Sequence, residues 1–206
     1  MSVQIRPPRP GDGEGMARVW LTAGAYYADL DPAYFQVPSA EGLAASFEAD
    51  IKATSQDGDK LRLVAERDNL VAGWLTAHVE HPYANAAHQQ VRELGWIRLV
   101  IDALMVDQAR WRQGTGSALL EAAESWGRER GAVVARLHTY PGSPVSVPFY
   151  EQHMGYERRS ILFQKPLLPG GEQGAQHVLH DAAVPVVLRL AWGVDPHDRA
   201  EFLAVG

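Results

Sequence analysis

The chain has 206 residues, 46% of them hydrophobic and 21% charged, which suits one domain with a substantial core, with or without an appendage. It contains no cysteine, so disulfides, thiolate metal sites and cysteine nucleophiles are excluded. A net charge of −6 disfavours a general nucleic-acid binder and suits a cationic substrate such as an amine; no signal-peptide core or run near the ~18 apolar residues of a membrane span is seen, so a cytoplasmic protein is expected.

Residues 3–6 alternate as a short strand, which Pro7, Pro8 and Pro10 end. Asp12 stands in a capping position before Met16, Val19, Trp20 and Ala23, whose helical spacing predicts a first helix ending near Tyr27. Pro32 and Pro38 break the next segment, an aromatic-rich loop carrying Tyr26, Tyr27, Tyr34 and Phe35. Ser39, followed by Glu41 and Gly42, opens a second helix in which Leu43, Phe47 and Ile51 recur every four residues. Residues 61–66 and 70–79 read as a β-hairpin turning at Asp68-Asn69. Residues 80–95 are a long polar connection or a short helix, leading to a strand that begins near Trp96.

The centre of the chain is the stretch from Ile101 to Gly131. An apolar run at residues 99–106 stops at Asp107, Gly114 and Gly116 punctuate a turn, and a helix follows whose Ala118, Leu119, Ala122, Ala123 and Trp126 share one face. Gly131 is its expected stop. The first N–H groups of a helix lack intrahelical partners, and the aligned peptide dipoles leave roughly half a positive charge there. Glycines at such a turn let the backbone approach an anion, and Arg110 and Arg112 add charge, so the stretch reads as a strand, an anion-holding turn and a helix. Gly-x-Gly alone is more often an ordinary tight turn than a ligand site.

Residues 132–138 form the next strand, and the strand-helix-strand order implies a parallel, right-handed crossover. Pro148 belongs in the first turn of a short helix that carries Phe149, Tyr150 and His153 and ends at Met154-Gly155. Residues 156–165 read as a strand. Beyond Pro166 comes a Pro/Gly-rich linker, then a strand-like run and a terminal helical turn with Asp195 and Pro196. His78, His81 and His88, and the pair His177 and His180, are not expected to bind metal, and Ser143 and Ser146 lack the elbow of a hydrolase.

The element order, together with IDALMVDQARWRQGTGSALLEAAE and PFYEQHMGYERRSILFQKPL, resembles the GNAT superfamily of N-acetyltransferases, most specifically over residues 95–167. The resemblance implies an α/β (α+β) fold: a mixed, V-shaped, largely antiparallel sheet with a central parallel strand pair and about four flanking helices. It assigns residues 1–167 to an acetyltransferase domain and leaves 168–206 as a C-terminal extension, packed on the same domain as a loop plus a strand. It implies acetyl-CoA as cofactor, with Arg112, Gln113, Gly114, Thr115, Gly116 and Ser117 around the pyrophosphate and Leu104, Met105 and Val106 along the pantetheine arm. The implied reaction is direct attack of a neutral amine, on a small molecule or a peptide, on the acyl thioester.

Backbone near Met105 and Val106 would polarise the carbonyl, Tyr150 would protonate the departing thiolate, and Asp102 would act as base, with Glu80 and His138 as rivals. Two departures from the family pattern stand out. Trp111 occupies the place of a Gln or Arg, and the spacing from Tyr150 to Gly155 is one residue longer than common. A non-catalytic acyl-CoA sensor of the same fold is the alternative function. A sheet edge or the tail strand offers a route to a homodimer.

Overall fold

The alternating and β-branched runs form one five-stranded sheet. Its strands are β1 (Gln4–Arg6), β2 (Lys60–Arg67), β3 (Leu70–Glu80), β4 (Arg98–Val106) and β5 (Val134–Arg136), lying side by side in that order. The computed structural model describes residues 3–53 and 58–163. Neighbours from β1 to β4 run antiparallel, whereas β4 and β5 run parallel, as the crossover requires. At the β2–β3 turn, Asp68 and Asn69 take left-handed φ values of 55° and 59°, the two-residue loop whose twist matches a hairpin.

β5 is shorter than the strand expected at residues 132–138 and pairs with β4 only from Arg98 to Val100. Among the described residues, β4 from 101 to 106 therefore has a strand neighbour on the β3 side alone.

Helices cover both faces. α1 (Gly13–Leu30) and α2 (Leu43–Ala53) bury Met16, Val19, Leu43, Phe47 and Ile51 against Val64, Trp74 and Ala103. α3 (Thr115–Glu129) buries Leu119, Leu120 and Ala123, and its Gly127 lies against Leu99 on the opposite face. Between them β3 is buried almost continuously, as a doubly covered strand should be.

Asp12 does not cap α1 with its side chain. Its backbone is already helical, and its carboxylate is held by Arg6 at 2.6 and 2.9 Å and by the Arg9 N–H at 2.7 Å. Glu48 of α2 serves the helix start instead, its Oε1 accepting from the N–H groups of Gly11 and Gly13 at 2.8 Å each. Gly131 ends α3 with φ +81°, as expected. The connection before β4 contains two 3-10 turns, Ala86–His88 and Arg92–Gly95.

The described chain divides after His138 into two compact units, the first holding the sheet and α1 to α3. The second holds a short helix, α4 (Ser146–Pro148), which continues as a π-helical turn over Phe149–His153. The strand expected at residues 156–165 is not formed over 156–163. Alternation alone does not make a strand without a partner, and Ile161, Leu162 and Phe163 are all exposed on both sides of that alternation. Residues 164–206, with the expected tail strand, the terminal helical turn, His177 and His180, lie outside the described residues. No described helix is long and apolar enough to cross a membrane.

Candidate active site

The turn after β4 is built by a sequence of local bonds. Asp107 Oδ1 accepts from the Ala109 N–H at 3.1 Å, its other oxygen pairs with Arg18 of α1, and residues 108–110 make a 3-10 turn. Arg112 and Gly114 then take left-handed φ values of 59° and 80°, bracketing Gln113 before α3 starts at Thr115. A left-handed arginine costs roughly 1–2 kcal/mol, so the loop holds this shape against a local preference. Left-handed residues on either side of Gln113 and the N-terminus of α3, which has no side-chain cap and whose first N–H groups lack intrahelical partners, form the concavity that suits an anion beside the helix dipole.

The side chains around that concavity sort into supports and free groups. Arg110 is paired with Asp68 at 3.0 Å. Gln113 braces the loop, its Nε2 donating to the Ala109 carbonyl at 3.2 Å while its Oε1 accepts from Arg67. Among the described residues Arg112 makes no ion pair, so it is the arginine left for an anionic ligand. Gly114 has open space where a Cβ would stand. Thr115, 1% exposed, holds a buried hydroxyl with no hydrogen-bond partner among the described residues. Trp111 turns away from a ligand role, its Nε1 donating to the Val106 carbonyl at 2.9 Å and its ring meeting Tyr26 edge-on at 4.8 Å.

A bulge in β4 shapes the second part of the site. Thr76 pairs with Ala103 and Ala77 with Ile101, which leaves Asp102 without an opposite residue. Asp102 shares a face with Val100, and the shift brings Ala103 onto that same face, the one α1 and α2 cover. Asp102 thereby reaches His78 of β3, whose Nδ1 lies 3.0 and 2.9 Å from its two carboxylate oxygens. His78 Nε2 is 3.7 Å from Glu80 Oε1. Burial disfavours the charged imidazole, but the hydrogen bond to Asp102 and the charges of Asp102 and Glu80 outweigh it and push His78 up to about 9.

Glu80 is heavily engaged. Its Oε2 takes Arg98 at 3.1 Å and Arg136 at 2.5 Å. Arg98 is completely buried, donates also to the carbonyls of Glu93 at 2.7 Å and His81 at 3.4 Å, and lies over the Tyr83 ring. On the same sheet face, Arg62 stands 3.9 Å from Asp50 of α2. Burial pulls Arg62 down more than the charges of Asp50 and Asp102 restore it. Of the three expected base candidates, Asp102 is in the bulge, Glu80 is tied to two arginines and His138 is exposed beyond β5. His81 pairs with Asp59 instead, at 3.0 Å.

Tyr150 belongs to the second unit. It sits in the π-helical turn, closed by the Met154 N–H donating to the Phe149 carbonyl at 3.0 Å, and this wider turn absorbs the extra residue before Gly155. Its ring packs on Phe149 at 5.1 Å and Tyr156 at 5.9 Å. Ser143 and Ser146 have a local role there, the Ser143 hydroxyl accepting from the Ser146 N–H at 3.0 Å.

Two features escape local sequence reasoning. His78 stands out in the sequence only as one of three nearby histidines, because its partner Asp102 arrives through β3–β4 pairing and a bulge. Arg67 at the hairpin turn gives no signal of its own and reaches Gln113 only once the sheet is assembled.

Several solved structures share this fold. A mutant of the BH1408 protein from Bacillus halodurans superposes with a TM-score of 0.66 at 20% identity, covering 80% of this chain and 99% of its own. AAC(6')-Iy in complex with the bisubstrate analog CoA-S-monomethyl-acetylneamine gives 0.52 at 19% identity, over 81% and 99%. An aminoglycoside acetyltransferase from an uncultured soil metagenomic sample gives 0.54 at 20%, over 82% and 100%. No curated protein matches the sequence. The sequence does match the Acetyltransferase (GNAT) family over residues 25–156, a span that includes the glycine turn, the β4 bulge and the tyrosine turn. With more than half its length in that match, the chain belongs to the GNAT acetyltransferase family.

Proposed function

We propose that this chain is an N-acyltransferase that moves an acetyl group from acetyl-CoA to the primary amine of a small molecule or a peptide. The observation that carries the reading is the turn at 112–117: the N-terminus of α3 without a side-chain cap, a left-handed glycine with open space where a Cβ would stand and, among the described residues, an arginine without an ion pair. That donor set suits a diphosphate. The edge of β4 away from β3 suits a linear chain of amides, since Leu104 presents its N–H and C=O and Val106 its N–H there, while Met105 bonds to Trp74 of β3 and the Val106 carbonyl accepts from Trp111.

Bound acetyl-CoA supplies an activated thioester carbonyl. The chain contributes the backbone N–H of Val106 to polarise that carbonyl, Met105 being bonded to Trp74 of β3, with Tyr150 as a neutral phenol to give the leaving thiolate its proton and the bulge carrying Asp102, alone or through a neighbouring side chain, to draw off the proton of the amine. The surplus of acidic residues favours a cationic acceptor. Aminoglycosides, alkylamines, polyamines and peptide N-termini therefore make the acceptor panel.

The test is thiol release from acetyl-CoA with that panel. The proposal expects release that depends on the amine. Stabilisation of the fold by acetyl-CoA with no amine-dependent release from any class would overturn it in favour of a coenzyme sensor, the reading to which Trp111 in place of a polar residue points.

A further inference from the structure

We propose that His78, and not Asp102, receives the proton of the acceptor amine, with Asp102 as the carboxylate that orients its ring. This assignment rests on the acyltransfer reading above and names a residue within it. The geometry is that of an oriented base. Nδ1 is held against both oxygens of Asp102 at 2.9 and 3.0 Å, whereas Nε2 stands 3.7 Å from Glu80, beyond hydrogen-bond distance. Glu80 is not free to close that gap, because Arg98 and Arg136 hold its other oxygen. The His78 side chain is 25% exposed, so the ring is not sealed from a small molecule.

An Asp102 carboxylate already bound by an imidazole is a poor lone base. A neutral imidazole donating Nδ1–H to Asp102 instead presents a lone pair at Nε2, which is the tautomer an orienting carboxylate selects. In the step, the neutral amine nitrogen attacks the thioester carbon, and as its lone pair forms the C–N bond one N–H bond breaks, the proton going to Nε2 and that bond's electron pair staying on nitrogen, while the C–S bond breaks and releases the thiolate. The imidazolium that results is stabilised by Asp102.

Every charged group around the ring bears on when that lone pair exists. Asp102 from β4 and Glu80 from β3 favour the imidazolium. Arg98 of β4 and Arg136 of β5 oppose it through Glu80, and Arg62 of β2, paired with Asp50 of α2, opposes it through Asp102. α1 contributes Met16 and Trp20 to this face, neither of them charged. The carboxylates are nearer, and His78 holds its proton up to about 9. Neutral imidazole thus grows tenfold per pH unit below that value, and transfer follows it.

The experiment is the pH profile of kcat/KM on the full chain, using an acceptor whose ammonium pKa is below about 6 so that the substrate does not titrate. Wild type should rise about tenfold per unit through pH 8 and level off near 9. Asp102→Asn should move that limb at least one unit lower. His78→Gln should abolish it and cut the plateau by roughly 10²-fold, with acetyl-CoA affinity kept as the check on folding. A limb that survives His78→Gln overturns the assignment while leaving acyltransfer intact; no turnover with any amine, acetyl-CoA still binding, overturns the acyltransfer reading itself. Should the variants not fold, the wild-type ring carries the test: the NMR midpoint of its Cε1–H must coincide with the kinetic limb, and a mismatch of more than a unit overturns the assignment.

Discussion

Stability should depend on pH through His78 in a way that a single substitution isolates. In the folded chain burial opposes the charged ring, but Asp102 and Glu80 prevail and lift it from 6.5 to about 9; the unfolded chain returns it to the ordinary value. A raised histidine binds its proton more tightly when folded, so its contribution is complete below about pH 6.5 and is lost as pH rises through about 9. At about 1.36 kcal/mol per pH unit between those two values, the contribution is about 3 kcal/mol. Urea unfolding followed by tryptophan fluorescence, at constant ionic strength near pH 6 and near pH 9.5, measures it. His78→Gln should lose about 3 kcal/mol more relative to wild type at the lower pH than at the higher, equivalent to roughly 6–12 °C in Tm for a chain of this size. The pH-independent part of the loss reports packing and is not at issue. A wild-type-minus-variant difference that is the same at both pH values would show that His78 is not held as an imidazolium by its two carboxylates.

Other consequences follow from single contacts. Gly73→Ala puts a Cβ 2.7 Å from the Met105 carbonyl oxygen, so β3 and β4 must separate locally; a loss of about 1–3 kcal/mol in chemical denaturation is expected, and an unchanged midpoint would contradict the close approach. Glu80→Ala removes the carboxylate from the fully buried Arg98 and should cost about 3–5 kcal/mol, read as a large fall in Tm; a loss under 1 kcal/mol would mean that backbone carbonyls suffice for that guanidinium. Tyr150→Phe should lower turnover by roughly 10²-fold with acetyl-CoA affinity kept, and full activity would remove the phenol from the chemistry.

The parts of this structure that were legible in sequence are those set by local pattern. Asp68-Asn69 predicts its hairpin, the 43, 47, 51 stripe predicts the buried face of α2, and Gly131 predicts the end of α3. Each depends on residues within a turn or two of one another. The parts that were not legible depend on pairing between distant segments. Asp12 looks like a cap until Arg6 claims its carboxylate and Glu48 takes over the helix start. Asp102 looks like a strand residue with a free carboxylate until a bulge in β4 delivers it to His78. The alternation at 156–165 promises a strand, but alternation fixes only which side chains share a face, not whether a partner strand is there to bond. The glycine turn is intermediate: its anion-holding backbone follows from residue types, while the division of labour between Arg110 and Arg112 emerges only with Asp68 in place.

If the turn at 112–117 holds the phosphates of acetyl-CoA, calorimetric titration of the wild type and Gly114→Glu with acetyl-CoA will separate the two proteins. The new carboxylate enters open space, so its effect is one of charge against a bound anion; Gly114→Asn, which tolerates the left-handed φ of 80°, controls for backbone strain. Acetyl-CoA should bind the Glu variant at least tenfold more weakly, with the Asn variant close to wild type. Equal affinity in all three proteins would contradict that placement of the phosphates.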